Sequence, residues 1–495
     1  MINITVIPVL IFLAILILIG LIANRATNKS GNFQKDYFVA NRSLGAIVLA
    51  MTLVATYGSV SSFVSGPGVA WNLGFGWVVF AAPQIITGFF ILGILGKKLA
   101  VIARRIDALT IIDVIRARFE CKALNILLSL VLLIFFTAMV VGQYIGGAQI
   151  FAAITGLDYK LGLLMFAAVT VLYTSSGFKA VVLTDTVCAI LMVVGMCTLG
   201  YTILDKAGGI ENIMQTLSAV NVGEDGISNN LKPDAGGSLP YGLLFSAWLL
   251  VGFCTVGLPQ SAVRCISYRS ASDLHRAMIV ATIVCGALMI GMTLLGVLSR
   301  AVILETPANG TDAVMPLLIT YNMSPLLAGI TIIGPLAATM STVSSLLIAS
   351  SSAIVRDLYV ELKGVQPIGS SVKGNKLMTV SVTIVIGIVS ILLALYPQSI
   401  VVWVNMFAFG GLESAFVWPL VLGLFWPRMN ARGALLGVVL GLGLYTLAMA
   451  TGFKVGSWHS ILIGMVMGFL GSVAGTYLGQ MPGLKIKQVF FPHKI

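Results

Sequence analysis

The stretch VATYGSVSSFVSGPG, residues 54–68, interrupts an apolar run with three glycines and a proline. A second interrupted run, VGFCTVGLPQ, lies at residues 251–260. Glycine and proline bend or break helices, so each stretch predicts a discontinuous membrane helix, although two ordinary proline kinks would give the same pattern. The stretches lie five predicted helices apart and therefore run in opposite directions. This arrangement predicts two five-helix repeats of inverted topology, a plan known among secondary transporters.

The composition around these stretches is that of a membrane protein. Of 495 residues, 58% are hydrophobic and only 9% are charged, whereas soluble domains carry about 25% charged residues. The apolar residues form runs of about 20, the length of a helix that crosses a bilayer. We therefore predict an all-α polytopic membrane protein with about 13 transmembrane helices. Their approximate spans are 5–23, 44–70, 75–97, 124–153, 161–176, 183–204, 241–263, 278–299, 325–352, 377–396, 401–425, 434–452 and 459–479.

The basic residues predict the orientation of these helices. If the chain starts outside and alternates, 24 of the 29 lysines and arginines fall on the inner side. Such an excess is typical of cytoplasmic loops. The sequence thus predicts an outer N-terminus and an inner C-terminus in the cell inner (cytoplasmic) membrane, with the lipid bilayer as a partner. Because the net charge of +12 is spread over short loops, we expect no nucleic-acid binding. The five basic residues on the outer side are Lys160, Lys206, Lys232, Arg300 and Lys454.

The spans divide the chain into five parts. A leading helix and a cytoplasmic loop occupy 1–43. The first inverted repeat occupies 44–204 and the second 241–425, with an extracytoplasmic loop at 205–240 between them. Two trailing helices and a cytoplasmic tail occupy 426–495.

Two oxygen-rich stretches are candidates for binding an alkali cation, because hard cations prefer oxygen ligands. Unwinding around the first break would free the carbonyls of Ala55 and Gly58. In the ninth predicted helix, Ser341 and Thr342 are adjacent, and Ala338 lies one turn earlier. Serine and threonine in membrane helices also bond to their own helix or pack between helices, so these residues alone do not define a ligand set.

Two acidic residues, Glu413 and Asp185, fall within predicted spans, where charges are costly and commonly functional, and Arg264 lies just beyond the end of one span. Glu413, in FAFGGLESAFVWP, is the clearest candidate. Asp185 is either functional or interfacial. Arg264, at the inner end of the seventh helix, is expected to anchor that helix at the membrane interface.

No enzyme signature is present in the sequence. The three histidines are far apart, and neither an HExxH motif nor a Walker loop occurs. We expect no catalysis and no cofactor, so transport must use an ion gradient or be passive. A passive channel would be expected to show a selectivity filter or a ring of charges, and the sequence shows neither.

The chain resembles the sodium/solute symporter family from its first helix to its last. The stretch GLFWPRMNARGALLGVVLG, residues 423–441, is similar to the second signature of that family. The stretch LYTSSGFKAVVLTD, residues 172–185, resembles the first signature but has Ser176 where the family usually has glycine. The resemblance implies a 5+5 inverted repeat (LeuT-like) and sodium as the coupling ion. It also implies a sodium site on Ala55, Gly58, Ala338, Ser341 and Thr342, with a possible second sodium at Asp185 and Thr184.

Within the family, the chain most resembles the pantothenate-transporting members, through AMTLVATYGSVSSFVSGPG, GLPQSAVRCISYR and AFGGLESAFVWPLVLGLFWPR. The proline-transporting members carry an aspartate at the position of Tyr57, which argues against proline. Pantothenate import is therefore expected, with another small carboxylate or an amino acid as the alternative. The expected substrate contacts are Ser59, Ser61, Ser62, Gln143 and Asn405 for polar groups, and Phe253 and Trp403 for the gem-dimethyl group. Glu413 would accept from the substrate's hydroxyls or amide, or be structural.

Overall fold

The computed structural model describes residues 4–28, 33–156, 158–308, 310–364, 372–396 and 401–492. Within these residues the regular elements are helices, and 11 of them are long and apolar enough to cross a membrane. The main helices are α1 Val6–Asn28, α2 Ala46–Tyr57, α3 Ser61–Leu73, α4 Phe75–Arg105, α5 Lys122–Thr155, α6 Tyr159–Thr174, α7 Phe178–Lys206, α8 Tyr241–Ile266, α9 Ala271–Ala301, α10 Pro325–Lys363, α11 Leu377–Ala394, α12 Val401–Phe425, α13 Ala431–Thr451 and α14 Ile461–Leu478.

Both predicted breaks are present. Helices α2 and α3 form one bent pair with an angle of 68° between them, because Gly58 adopts an extended conformation, φ −66° and ψ 127°. Helix α8 is interrupted at Gly252 and continues through a 3-10 turn before Pro259. Every predicted span overlaps one of the main helices, which confirms the all-helical fold. The exact number of crossings and the side of each terminus stay predictions, and the end of the predicted tail, 493–495, lies outside the described residues.

Helix α10 runs through the centre of the molecule and is almost entirely buried. It packs against α5 and α7 along its length. A Cβ atom on Gly195 of α7 would lie 2.9 Å from the carbonyl oxygen of Thr331 and 3.1 Å from the Cα of Gly334 on α10. Small residues thus let the two backbones touch, as is usual between membrane helices.

The end of α10 is tied to a short helix, Ile111–Phe119, by ion pairs. Arg116 contacts Asp113 at 2.8 Å and Glu361 at 2.5 Å, and Arg356 contacts Asp113 at 3.0 Å. The side chains are only 10–22% exposed, so solvent screens these contacts less than it screens surface pairs. This network fixes α10 at the side that the charge distribution predicts to face the cytoplasm.

The two trailing helices, α13 and α14, are joined through glycines of the 423–441 stretch. A Cβ atom on Gly433 would lie 2.1 Å from the hydroxyl oxygen of Thr476. The same Cβ atom would lie 2.7 Å from the backbone carbonyl oxygen of Ser472, and one on Gly437 would lie 3.0 Å from that of Gly468. Only glycine allows this approach, which gives a packing reason for the spacing of these residues.

Candidate site for a cation and a small solute

The five predicted cation ligands come together where α10 crosses the break between α2 and α3. The Ser341 hydroxyl donates to the Ala55 carbonyl at 2.9 Å and lies 3.1 Å from the Ala338 carbonyl. The Thr342 hydroxyl lies 2.8 Å from the Gly58 carbonyl and 2.9 Å from that of Ala338. All these oxygens are neutral, so their chemistry suits a weakly held hard cation such as sodium.

A buried ion pair lies beside this cluster. Arg264 Nη2 is 3.3 Å from Asp185 Oδ2, and the two side chains are 2% and 0% exposed. Thr52 donates to the same carboxylate oxygen at 2.6 Å, and Arg264 donates to the Ser345 hydroxyl at 2.6 Å. Asp185 is therefore buried rather than interfacial, and it already faces a cation of the protein.

Arg264 does not anchor α8 at the membrane interface as the sequence suggested. The inner half of α8 enters the core. Asp185, which is 79 positions away in the chain, supplies the opposite charge that offsets the cost of burying Arg264. The Thr184 hydroxyl donates to the carbonyls of Ala180 and Val181, 3.0 and 2.9 Å away on its own helix. The second sodium at Asp185 and Thr184 stays a prediction.

A cavity lies directly beside the break and holds four of the predicted substrate residues. The space between its lining atoms is about 630 Å³, with the open space at the mouth included. Asn405 Nδ2 donates to the Ser61 hydroxyl at 2.5 Å and joins α12 to α3 across the cavity. The lining residues include Ser59, Ser61, Ser62 and Asn405, as predicted.

The other four predicted substrate residues do not line the cavity. Phe253 is 44% exposed and contacts Phe90, because the 3-10 turn after the α8 break turns it away. Trp403 packs edge-on against Trp77, at 6.0 Å between ring centroids, since the cavity-facing stripe of α12 is Val402, Asn405, Met406 and Phe409.

Gln143 and Glu413 lie behind the cavity wall. Gln143 Oε1 accepts a hydrogen bond from the backbone N–H of Val60, 3.0 Å away, and so stabilises the break between α2 and α3. Glu413 is one turn beyond Phe409, fully buried, and neither of its oxygens has a hydrogen-bond partner in the part of the chain that the structure describes. Direct substrate contact by Gln143 or Glu413 is therefore not supported.

Several lining residues were missed by the sequence reasoning. On α4, Trp77, Phe80 and Gln84 recur at helical spacing and line one wall; Trp77 and Phe80 stack at 4.2 Å between centroids. That spacing of two aromatics and an amide was visible in the sequence and could have been used. Tyr57 also lines the cavity, and its hydroxyl donates to the carbonyl of Val251 at 2.9 Å, which ties the first break to the second.

The cavity has no charged side chain among its lining residues in the described ranges. Its polar groups are hydroxyls and amides, and the first turn of α3 borders it. The positive end of a helix dipole favours an anionic group at such a place. The chemistry of the lining thus suits a small solute with a carboxylate, polar groups and an apolar part.

Comparison with known proteins gives the family. Residues 37–441 match the model of the "Sodium:solute symporter family". The chain belongs to this family. It is 39% identical over 478 residues to a sodium/pantothenate symporter of Escherichia coli and 38% identical over 476 residues to that of Haemophilus influenzae, and 96% of each chain is covered in both cases. The chain is accordingly a multi-pass membrane transporter that uses sodium.

A solved structure supports the fold. The substrate-bound, outward-open structure of a Na⁺-coupled sialic acid symporter matches with a TM-score of 0.79 and covers 97% of this chain and 98% of its own. At 20% identity, this likeness concerns the fold alone. It confirms the predicted LeuT-like architecture, whereas the division into two five-helix repeats, 44–204 and 241–425, stays a prediction.

Proposed function

We propose that the chain imports pantothenate together with sodium across the cytoplasmic membrane by alternating access. The observation that carries this proposal is the near full-length identity to two sodium/pantothenate symporters. The cavity supports it, because a pantothenate ion has a carboxylate, an amide, two hydroxyls and a gem-dimethyl group. Neutral donors and stacked aromatic rings suit these groups.

Within the cavity, we place the carboxylate of the substrate at the first turn of α3, near the hydroxyls of Ser61 and Ser62. Asn405 and Gln84 then face the amide and hydroxyl groups. The ring of Trp77, rather than Phe253 or Trp403, covers the gem-dimethyl group. Each polar group of the substrate would meet a neutral partner, so no charge of the protein has to be buried opposite the anion.

Sodium is proposed to bind the carbonyls of Ala55, Gly58 and Ala338 and the hydroxyls of Ser341 and Thr342. The same unwound segment supplies ligands to sodium and, through Tyr57 and Ser59, walls to the cavity. Binding of sodium then orders the segment that pantothenate needs, and binding of pantothenate orders the segment that sodium needs. This mutual effect couples the two fluxes. Asp185 already has Arg264 as its counter-charge, so we propose one coupling sodium at this position and none at Asp185 and Thr184.

Uptake of radiolabelled pantothenate into proteoliposomes tests the function. An inward sodium gradient should stimulate uptake well above the rate with equal sodium on both sides. Equal rates with and without the gradient would instead indicate a passive channel or uniporter. Unlabelled pantothenate should compete, whereas proline should not; competition by proline alone would assign the chain to the amino-acid alternative.

A further inference from the structure

A depression with three cations lies at the inner end of α4, beside the C-terminal helix Leu484–Phe490. Arg105 Nη1 donates to the carbonyl of Val489 at 2.9 Å and so holds the tail against α4. Lys98 Nζ lies 4.4 Å from the ring centroid of Phe491. None of the lining residues, which belong to the described part of the chain, is acidic. They are Lys97, Lys98, Val101, Ile102, Arg105, Phe490, Phe491 and Pro492.

The depression lies at the end of α4 that the charge distribution predicts to face the cytoplasm. Ile94, Lys97, Val101 and Arg105 recur at helical spacing and form one stripe. Ile94 and Val101 are 43% and 47% exposed, and Leu484 on the tail helix is 70% exposed. Exposed apolar side chains alternate here with cations, which is typical of a surface at the boundary between acyl chains and headgroups.

The cationic and apolar side chains of this depression together suit a ligand that has both an anionic and an apolar part. The cations match a phosphate group, and the ring faces and aliphatic side chains beside them match acyl chains. A free phosphate would leave the apolar half of the depression uncovered. Anionic lipids of the cytoplasmic leaflet combine both chemistries, and basic pockets between membrane helices on this side are suited to them.

We propose that this depression binds one anionic phospholipid of the inner leaflet, with Lys97, Lys98 and Arg105 around its phosphate. The lipid joins α4, which belongs to the first repeat, to the C-terminal tail, which follows the trailing helices. Neither transport ligand is involved, because the sodium oxygens lie on other elements and the cavity residues of α4, Trp77, Phe80 and Gln84, lie towards the opposite end of that helix.

Native mass spectrometry of the full chain, released from nanodiscs of phosphatidylglycerol and phosphatidylcholine, tests the proposal. We expect wild type to retain phosphatidylglycerol in preference to phosphatidylcholine. The double variant Lys97→Gln/Arg105→Gln should retain severalfold less phosphatidylglycerol. A matched control, Lys122→Gln/Lys363→Gln, removes the same charge from exposed positions on the predicted inner side and should behave as wild type.

The charge-retaining variant Lys97→Arg/Arg105→Lys separates lost binding from misfolding, and it should retain the lipid. Three results would overturn the proposal: equal retention of both lipids by wild type, equal loss in the double variant and its control, or loss in the charge-retaining variant. Release of the lipid by millimolar inorganic phosphate would also overturn it, because the headgroup charge alone would then account for binding.

Discussion

The proposed coupling site is made of three backbone carbonyls and two hydroxyls, without a charged side chain among them. Such a site selects by geometry and holds its ion weakly enough to release it. The broken helix and the adjacent hydroxyls make these residues candidates in the sequence, and the family resemblance supplies the set of five. The sequence could not predict the partner of Arg264, since Asp185 is 79 positions away in the chain and only folding brings the two together.

Replacement of Ser341 or Thr342 by alanine should weaken sodium dependence. Each change removes one oxygen from a small ligand set, and hydrogen bonds or contacts to charged groups are worth about 1.5–3 kcal/mol. The sodium concentration for half-maximal uptake should therefore rise about tenfold or more. Ser350→Ala is the control, because the Ser350 hydroxyl bonds only to its own helix, at 2.8 Å from the Leu346 carbonyl. Unchanged sodium dependence in both site variants would remove this assignment.

Tyr57→Phe should weaken substrate binding more than it weakens folding. The change deprives the Val251 carbonyl of its 2.9 Å partner, and an unpaired buried group costs about 1–3 kcal/mol. We expect the KM for pantothenate to rise roughly tenfold while expression persists. Tyr445→Phe loses a comparable bond to the Phe407 carbonyl, also 2.9 Å, and should leave KM unchanged. A similar KM shift in both variants would point to a general loss of stability.

At the scale of helices, Gly and Pro predicted where α2 and α8 break, because their effect on the backbone is local. The direction of side chains near the breaks was not predictable in the same way. Phe253 and Trp403 point away from the cavity, since a 3-10 turn and the rotation of α12 decide which stripe faces inward. The wall of α4 that contains Trp77 does show helical periodicity in the sequence. This periodicity is the signal to use in related chains.

The α13–α14 pair should be sensitive to a single methyl group. Gly433→Ala would place a Cβ 2.7 Å from the backbone carbonyl oxygen of Ser472, which cannot rotate away as a hydroxyl can, so the helices must separate and the melting temperature should fall. Gly443→Ala, on the same helix, meets nothing within 4 Å and should be neutral or gain up to about 1 kcal/mol from helix propensity. Equal melting temperatures for the two variants would contradict the close-packed interface.

The connection between α13 and α14 should make stability depend on pH. Burial, helped by the charge of Lys454, lowers the pKa of His459 to about 4 from its usual 6.5, and the neutral ring accepts a hydrogen bond from Ile461 N–H at 3.2 Å. Below pH 6.5 the unfolded state binds the proton more readily, so stability falls as the pH drops towards 4. The loss is about 2 kcal/mol by pH 5. The melting temperature of His459→Gln should not show this fall at acid pH. If the melting temperatures of wild type and variant fall in parallel as the pH drops, the prediction is contradicted.

Over the whole molecule, the residues that line the cavity come from both predicted repeats, 44–204 and 241–425. Alternating apolar and basic segments were enough to predict the all-helical membrane architecture, because membrane insertion follows length and charge. The walls of the cavity were predicted only in part, since they depend on how tightly α4, α9 and α12 approach the break.

Sodium and pantothenate should affect each other's binding equally. Titration of the purified protein with pantothenate at low and high sodium should show an affinity gain of roughly tenfold. The reverse titration should give the same factor, because the coupling free energy is shared. Thr342→Ala should reduce both factors together. If the two affinity gains differ, or if there is no gain, then sodium and pantothenate do not order the same segment.

The hydrogen bond between Ser61 and Asn405 joins residues 344 positions apart, and this distance along the chain has a consequence for biosynthesis. The cavity is not complete until α12 has entered the membrane, because Val402, Asn405, Met406 and Phe409 of α12 form part of its lining. Contacts of such long range form late, because the intervening chain must first lose its freedom. A ribosome that stalls before residue 401 would therefore leave a protein that spans the bilayer and has no binding site, so recognition of the solute is among the last properties that the growing chain acquires.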